Sequence, residues 1–315
     1  MESELVSFIK KNNFLIFLIF YTPVLVLAET IIDDYRRYDV TKTKFILEKS
    51  AKDLSYPWAL SFIDKTNVVI TEKDGGLYKV DVLSGKKQKI KHNIPHIGYD
   101  GGGQGGLLDV YFNPSDDYIY FTYSHKSSKL TRSKQLSKKS STAIARGRLI
   151  ENEIKDFEIL LIAKPEFLEN RHYGSRIAIK GDDLFVSFGE RGQGMISQDP
   201  SKHPGSIVRI KTDGEIPADN PRSIEKKDWL PEIYVIGVRN PQGIAVSPHD
   251  DEIYFSSHGP RGGDHIGQVE FGSNYGWKDI AWGGREYYGL GIGDTPFKDK
   301  YKKPLISWVP SMGIS

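Results

Sequence analysis

Cysteine is absent from the 315 residues of this chain. Its absence excludes disulfides, thiolate metal sites and cysteine nucleophiles, so an exported form has to rely on its core or on bound ions. A charge excess is also lacking, because 43 Lys and Arg are balanced by 41 Asp and Glu. The resulting near-neutral chain is not expected to have nucleic acid as its main partner. One basic stretch without an acid, residues 126–141, lies between two strand-like runs and is predicted to be a solvated hairpin loop.

Long hydrophobic runs are scarce, and the clearest one is close to the N-terminus. Two lysines precede an apolar run from Phe14 to Leu27, and Ala28 follows it. A charged start, an apolar middle and a small final residue are typical of a secretory signal peptide. Because the run is short for a spanning helix and contains Pro23, a cleaved signal is favoured over the alternative of an uncleaved anchor. We predict a signal peptide at 1–28, a periplasmic or secreted mature protein, and no stable membrane insertion after cleavage.

Helical periodicity is hard to find after residue 30, whereas short alternating runs are frequent. Pairs such as LLDVYFN and YIYFTYS, or RIAIK and LFVSFGE, are separated by polar turns such as PSDD and GDD. An alternation of period two around a polar turn is typical of a hairpin with one apolar face. Because such pairs recur around residues 58, 107, 176 and 243, the pattern favours an all-β propeller over 29–315. A sandwich or a barrel is the alternative.

Unusual polar residues stand just before several of the predicted inner strands. The inner strands of a propeller run along its central channel, so the residues before them meet at the channel mouth. The residues in this position are Gln104, His172, Arg239 and Asn240. His172 is a candidate general base near neutral pH, and Arg239 is a candidate stabiliser of an anion. A structural histidine, a salt bridge between blades and an amide that caps a loop are the alternatives.

The stretch SSHGPRGGD, residues 256–264, has an unusual backbone. Gly259 and Pro260, followed by Arg-Gly-Gly, leave carbonyl oxygens that a regular strand ladder cannot use. Such oxygens, together with Asp264, are ligands that a hard cation such as Ca²⁺ accepts. A Gly-Pro turn without a metal is the alternative.

Ten motifs occur in collinear order between about Tyr56 and Ser311. They are YPWALSF, VVITEKDGGLYKVD, GQGGLLDV, TAIARGRL, HYGSRIAI, FVSFGERG, GSIVRIKTDGEIPADNP, GVRNPQGIA, HGPRGGD and NYGW. Together they resemble the soluble aldose sugar dehydrogenases of the glucose/sorbosone dehydrogenase family, which use pyrroloquinoline quinone (PQQ). The resemblance implies a six-bladed propeller with PQQ over the channel mouth. It also implies oxidation of the anomeric C1 hydroxyl of an aldose to a lactone, with hydride passing to PQQ.

The resemblance also implies roles for individual residues. His172 matches the catalytic base, and Arg239 matches the residue beside the quinone carbonyl that is reduced. Asn240 and Gln104 match positions that contact PQQ. The pair at 259–260 matches the two residues whose carbonyl oxygens hold the Ca²⁺ that polarises PQQ.

Three departures from the family pattern bear on this expectation. His265 stands where relatives commonly have an acid that helps to bind a second calcium with Tyr275, so a second calcium site is not expected. Val238 stands where relatives often have histidine. The likeness ends at Ser315, where relatives continue for several more strands, so we expect an incomplete last blade and an activity that depends on the missing part.

Two other function classes stay open at this point. A calcium-dependent lactonase also needs a metal at the channel mouth, but it requires several carboxylate ligands, and the mouth residues here are Gln, His, Arg and Asn. A non-catalytic binding propeller is the other alternative. The particular aldose and the electron acceptor are not indicated by any motif.

Overall fold

The computed structural model describes residues 29–30, 50–127, 129, 138–293 and 295–315. The predicted signal peptide therefore lies outside the described residues. The described part contains seventeen strands in four antiparallel sheets, with only short helical turns between them. No helix in these ranges is long and apolar enough to cross a membrane.

The first three sheets each contain four strands that follow one another along the chain. The strands of the first sheet are β2 Pro57–Phe62, β3 Asn67–Glu72, β4 Leu77–Asp81 and β5 Lys87–Lys89. Those of the second sheet are β6 Leu107–Asn113, β7 Tyr118–Lys126, β8 Ser140–Ile150 and β9 Glu153–Ile162. Those of the third sheet are β10 Gly174–Lys180, β11 Asp183–Phe188, β12 Ser206–Lys211 and β13 Ile233–Ile236. A 3-10 helix at Gly194–Gln198 follows β11, and the single helical turn α1, Pro221–Ile224, follows β12.

The fourth sheet combines strands from both ends of the chain. Its strands in spatial order are β1 Glu29–Thr30, β17 Ile306–Val309, β16 Asp264–Gln268, β15 Ile253–Ser257 and β14 Pro241–Val246. Six blades were expected, with the last one incomplete, whereas the described residues form four sheets. The fourth sheet is not short of strands, because residues 306–309 supply its fourth strand and the pairing of residue 30 with Trp308 adds a fifth.

Strands β2, β6, β10 and β14 lie side by side as the innermost strands of the four sheets. The three largest clusters of buried apolar side chains each combine residues of two consecutive sheets. This is the arrangement of blades around an axis, so the prediction of an all-β propeller is confirmed.

Each innermost strand has a β-bulge near its start. The pairing register with the next strand shifts just after Pro57, Leu107, Gly174 and Pro241. A bulge bends the strand and changes the direction of nearby side chains, which is why bulges are common beside functional sites. Because all four bulges lie at the same end of their strands, they distort the backbone around one mouth of the channel.

Arg176, in the bulge of β10, connects the four innermost strands. Its guanidinium lies 4.1 Å from the ring centre of Trp58 and donates to Asp109 Oδ1 at 3.3 Å and to the carbonyl of Gln242 at 2.8 Å. Burial raises the pKa of Asp109 to about 6, although the Arg176 charge opposes that shift. The contacts of Arg176 therefore tie the blades together inside the axial cavity, which has a volume of about 620 Å³.

Hydroxyl groups on the second strand of three blades make the same inter-blade hydrogen bond. Thr71 donates to the carbonyl of Leu108 at 2.6 Å, and Thr122 donates to the carbonyl of Ser175 at 2.6 Å. Ser187 makes the same bond to the first residue of β14 at 3.0 Å. Ser256 holds the corresponding place in the fourth sheet, but its buried Oγ has no hydrogen-bond partner among the described residues.

Candidate active site

His172 lies at the channel mouth, two residues before β10. Its φ of 53° is in the left-handed region, which is uncommon for a residue with a side chain. The backbone N–H of His172 donates to Oε1 of Gln104 at 2.7 Å. The amide of one predicted site residue therefore holds the backbone of another in this unusual conformation.

The imidazole of His172 is held by Glu190, a residue that the sequence analysis did not single out. Nδ1 of His172 is hydrogen-bonded to Oε1 of Glu190. The second oxygen of that carboxylate accepts from the N–H of Gly194 at 2.5 Å, and the backbone N–H of Glu190 donates to the carbonyl of Arg239 at 2.8 Å. Glu190 thus connects His172, just before the first strand of the third sheet, to Arg239, just before β14 of the fourth sheet.

The protonation states of this pair follow from its surroundings. Burial lowers the pKa of His172 and outweighs the opposing bond to Glu190, while the nearby charge of Arg239 lowers it further. Burial alone would raise the pKa of Glu190, but its bonds to His172 and Gly194 reverse that effect and lower it. A neutral imidazole beside an ionised carboxylate donates through Nδ1 and leaves Nε2 as an unprotonated acceptor. Nε2 makes no hydrogen bond within the described residues.

Arg191 holds the chain that leads into His172. It is buried, its guanidinium lies 3.5 Å from the ring centre of Tyr173, and it donates to the carbonyls of Glu169 and Arg171. Its backbone N–H donates to the carbonyl of His172 at 3.3 Å. Because Arg191 has no carboxylate within ion-pair distance among the described residues, its bonds go mainly to the backbone of this segment.

Arg239 and Asn240 stand just before β14 and are both buried. Nη1 of Arg239 donates to the carbonyls of His258 at 3.2 Å and Gly259 at 3.1 Å. Oδ1 of Asn240 accepts from the N–H of Gly174 at 3.0 Å. Arg239 has no carboxylate within ion-pair distance in the described part of the chain, so its buried positive charge is left for another anion.

The Gly-Pro turn after β15 is fixed by Asp264. The carboxylate of Asp264 accepts from the N–H groups of Gly259 at 2.7 Å, Met312 at 2.9 Å and Gly313 at 2.6 Å. Burial alone would raise the pKa of Asp264, but its bonds to Ser311 and to the N–H groups of Gly313 and Gly259 reverse that effect and lower it. Asp264 was considered as a metal ligand, and in this structure its oxygens anchor backbone. Within the described ranges no group of three His, Asp or Glu side chains could hold a metal, so a cation here would depend on backbone oxygens.

The two residues discussed for a second calcium are packed against each other. The rings of His265 and Tyr275 stack with centroids 5.9 Å apart. The hydroxyl of Tyr275 donates to the carbonyl of Gln268 at 2.6 Å, and burial raises its pKa. Nδ1 of His265 is bonded to the carbonyl of Gly263 at 2.9 Å. The tyrosine oxygen is therefore already engaged by backbone.

The predicted residues form one connected network at the mouth. Gln104 contacts the backbone of His172, Glu190 links His172 to Arg239, and Arg239 contacts the carbonyl of Gly259. Pro260 follows as a buried residue, and Asn240 holds the start of β10. Val238, in contrast, is fully buried core and has no exposed surface at the mouth.

The fold and this network define a class of protein, a propeller with one buried polar site at the axial mouth. Similarity to known proteins identifies the family within this class. The family model for Glucose / Sorbosone dehydrogenase matches residues 54–315. The chain is 33% identical over 271 residues to aldose sugar dehydrogenase YliI of Escherichia coli K12, covering 83% of this chain and 70% of that protein. The chain belongs to the glucose/sorbosone dehydrogenase family.

The chain is also similar to a further curated dehydrogenase and to two solved structures. Quinoprotein glucose dehydrogenase B of Acinetobacter calcoaceticus is 27% identical over 253 residues, which is 73% of this chain and 51% of that protein. The crystal structure of the apo form of the soluble aldose sugar dehydrogenase from Escherichia coli superposes with a TM-score of 0.74 at 32% identity, covering 84% of this chain and 75% of that one. A PQQ-bound aldose sugar dehydrogenase from Streptomyces coelicolor shares the fold, with a TM-score of 0.66 at 24% identity over 84% of this chain and 71% of that one.

Proposed function

We propose that this protein is a PQQ- and Ca²⁺-dependent aldose dehydrogenase that oxidises the anomeric C1 hydroxyl to a lactone. The observation that carries the proposal is the pairing of His172 with Glu190 beside Arg239. An imidazole that is held at Nδ1 and open at Nε2 is suited to take a proton from a sugar hydroxyl. The relatives named above as aldose or glucose dehydrogenases support the substrate class.

The residues at the mouth fit an anionic quinone. A guanidinium that is 7% exposed and has no carboxylate partner in the described part of the chain is complementary to a bound anion such as the carboxylated PQQ. Gln104 and Asn240 would contact the cofactor through their free amide atoms, and Arg239 would lie beside its reactive carbonyl. The carbonyl oxygens of Gly259 and Pro260 would hold Ca²⁺, and that of Gly259 would use its second lone pair for the metal because it also accepts from Arg239 at 3.1 Å.

The chemistry is then divided between the bound groups and the protein. When bound, PQQ supplies a two-electron acceptor and Ca²⁺ supplies a Lewis acid that polarises it. His172 Nε2 accepts the proton of the C1 hydroxyl as hydride leaves that carbon. Glu190 stabilises the imidazolium that forms and keeps the ring oriented. Arg239 would stabilise the negative charge that develops on the bound electron acceptor beside its guanidinium.

The test is reconstitution of the full chain. Purified protein with PQQ and Ca²⁺ is expected to reduce an artificial electron-acceptor dye in the presence of glucose or another aldose, and to lose this activity without PQQ or with a calcium chelator. Dye reduction by no aldose would refute the proposal. Lactone hydrolysis without PQQ would favour a lactonase instead, although the mouth offers few carboxylates for the metal of such an enzyme.

We also propose a six-bladed ring and export of the mature protein. The buried, unpartnered Oγ of Ser256 supports a further inner strand beside β14, because the three corresponding hydroxyls each bond to the next inner strand. The charged and apolar start of the sequence supports export. Mass spectrometry of exported protein should find an N-terminus at Glu29, and an intact N-terminus on exported protein would contradict cleavage after Ala28.

A further inference from the structure

A second cavity lies on the same face of the propeller as the channel mouth. It has a volume of about 450 Å³ and is lined by the loop before β6, the facing ends of β7 and β8 and the segment before β10. Its lining residues are Gly98, Asp100, Lys126, Lys138, Ser140, Leu168, Asn170 and Tyr173. None of these residues was predicted to be functional.

The floor of this cavity is a network of buried polar groups. The hydroxyl of Tyr173 is 2.7 Å from Oγ of Ser140 and donates to Oδ1 of Asn170 at 3.1 Å. Arg191 covers one face of the Tyr173 ring and bonds to the same Ser140 oxygen at 3.3 Å. The floor is therefore fixed by several bonds at once, as expected for a binding surface that is formed in advance.

The floor is continuous with the proposed active site. Asn170 accepts through its backbone carbonyl from the N–H of Gln104 at 2.9 Å and through Oδ1 from the N–H of Gly105 at 3.0 Å. Gln104 in turn bonds to the backbone of His172, and Tyr173 is the next residue in the chain. A molecule in this cavity would lie against the segment that carries the proposed base.

The described rim of the cavity carries two lysine side chains. Lys126 and Lys138 are exposed, and neither side-chain ammonium group makes an ion pair or a hydrogen bond with the described residues. Among the described lining residues Asp100 supplies the one carboxylate, which stays ionised but accepts from the N–H groups of Gly102 at 3.3 Å and Gly103 at 3.2 Å in its own loop. Leu168, which is 64% exposed, supplies an apolar wall. Cations around a partly apolar surface suit a ring with CH groups and one carboxylate.

We propose that this cavity is a subsite for an acidic sugar unit, so that the preferred substrate is an oligosaccharide with a uronate next to the aldose that is oxidised. The part of this inference that concerns oxidation of the aldose rests on the proposed function. The aldose end would be at His172, and the carboxylate of the neighbouring unit would lie between Lys126 and Lys138. A neutral oligosaccharide would use the same floor without the ionic contacts.

The experiment compares two disaccharides that differ only at one carbon. The substrates are cellobiose and β-1,4-linked glucuronosyl-glucose, and the proteins are the full wild-type chain, the double variant Lys126→Gln/Lys138→Gln and the control Lys65→Gln. Lys65 is an exposed lysine in the turn between β2 and β3, at the opposite end of the blades. The wild type should prefer the acidic disaccharide, and the double variant should lose about tenfold in kcat/KM for it, since each exposed ion pair contributes a few-fold. Cellobiose oxidation should be unchanged in both variants.

Two outcomes would overturn the subsite: no preference of the wild type for the acidic disaccharide, or an equal loss for both substrates in the double variant. If the wild type oxidises no aldose at all, the proposed function fails, and calorimetry on the same proteins tests the subsite separately. Binding of the acidic disaccharide that is weakened in the double variant but not in Lys65→Gln supports it. Absence of binding to the wild type overturns it.

Discussion

The described residues contain two buried histidine–glutamate pairs, which differ in whether the second ring nitrogen of the histidine makes a hydrogen bond. Nε2 of His203 is 2.5 Å from Oε1 of Glu232, and Nδ1 of His203 accepts from the N–H of Lys164 at 3.0 Å. Both nitrogens of that ring are therefore engaged. His172 is bonded to Glu190 through Nδ1 alone, and its Nε2 is open toward the mouth.

The pair of His203 and Glu232 is structural, whereas the pair of His172 and Glu190 is suited to react. The ring of His203 is 4% exposed and packs edge-on against Phe188 within the third blade, so it holds loops together. The side chain of His172 is 12% exposed and lies where three blades meet. A histidine–carboxylate contact is thus not a sign of catalysis by itself, and the free nitrogen and the neighbouring Arg239 make the difference.

Replacement of the base should give the largest effect. His172→Gln removes the proton acceptor but keeps a side chain that can bond to Glu190, and we expect kcat for aldose oxidation to fall about a thousandfold. Steady-state dye reduction with PQQ and Ca²⁺ measures it. His203→Gln is the matched control. A similar loss of kcat in the folded fraction of this variant would remove the distinction between the two pairs.

Replacement of the carboxylate in the reactive pair should give the next largest effect. Glu190→Gln leaves the imidazole without the charge that stabilises its protonated form, so kcat should fall by roughly 10- to 100-fold, the range for removing a hydrogen-bond partner that orients a histidine ligand. The melting temperature of the variant reports whether the fold is kept. A Glu190→Gln enzyme with wild-type kcat would show that the pair is only structural.

Replacement of the carboxylate in the structural pair should change stability and leave kcat alone. Glu232→Gln weakens a buried charged hydrogen bond, and we expect a loss of about 2 kcal/mol in the free energy of unfolding at neutral pH. Burial raises the pKa of Glu232, but its bond to His203 reverses the shift and lowers it below 4.5. The stabilisation is therefore present above pH 4.5 and is lost as pH falls through the lowered pKa. Urea unfolding at pH 7 and at pH 4 should show a smaller difference between wild type and variant at the lower pH. A constant difference would contradict this account of the pair.

The pH dependence of activity should show the smallest effect. Because the pKa of His172 is lowered from 6.5, the base is already unprotonated at neutral pH. The value of kcat/KM should be flat around pH 7 and should decrease only as pH falls through an apparent pKa below 6.5. A decrease that begins above pH 7 would mean that the imidazole is protonated in the folded enzyme.

Local patterns in the sequence predicted the hairpins and the residues that meet at the channel mouth, but they did not identify Glu190 as part of the site. The turn at residues 181–182 places residue 172 opposite 191 if β10 and β11 pair without interruption. The bulge between Gly174 and Ile177 shifts the register by one and brings residue 190 opposite His172 instead. An acid at the mouth end of β11, in FGERG, was the available signal, and the bulge decided which residue met the imidazole.

Long-range contacts account for the other differences. Asp264 was taken as a possible metal ligand because a Gly-rich turn leaves carbonyls and carboxylates free, but the N–H groups of residues 312–314 donate to its carboxylate. The pairing of residues 29–30 with β17 joins segments more than 270 residues apart, and no local pattern predicts it. The four sheets in the described residues correspond to the four hairpin pairs near residues 58, 107, 176 and 243, whereas the expectation of six blades came from the family resemblance.

The most direct test of the active-site assignment is a single turnover in the absence of oxygen. Wild type and His172→Gln, each loaded with PQQ and Ca²⁺, are mixed with an aldose, and the absorbance of the bound quinone is followed by stopped flow. We expect rapid reduction in the wild type and reduction about a thousandfold slower in the variant, with equal quinone content before mixing. Reduction at the same rate in both proteins would contradict the claim that the open nitrogen of residue 172 takes the proton.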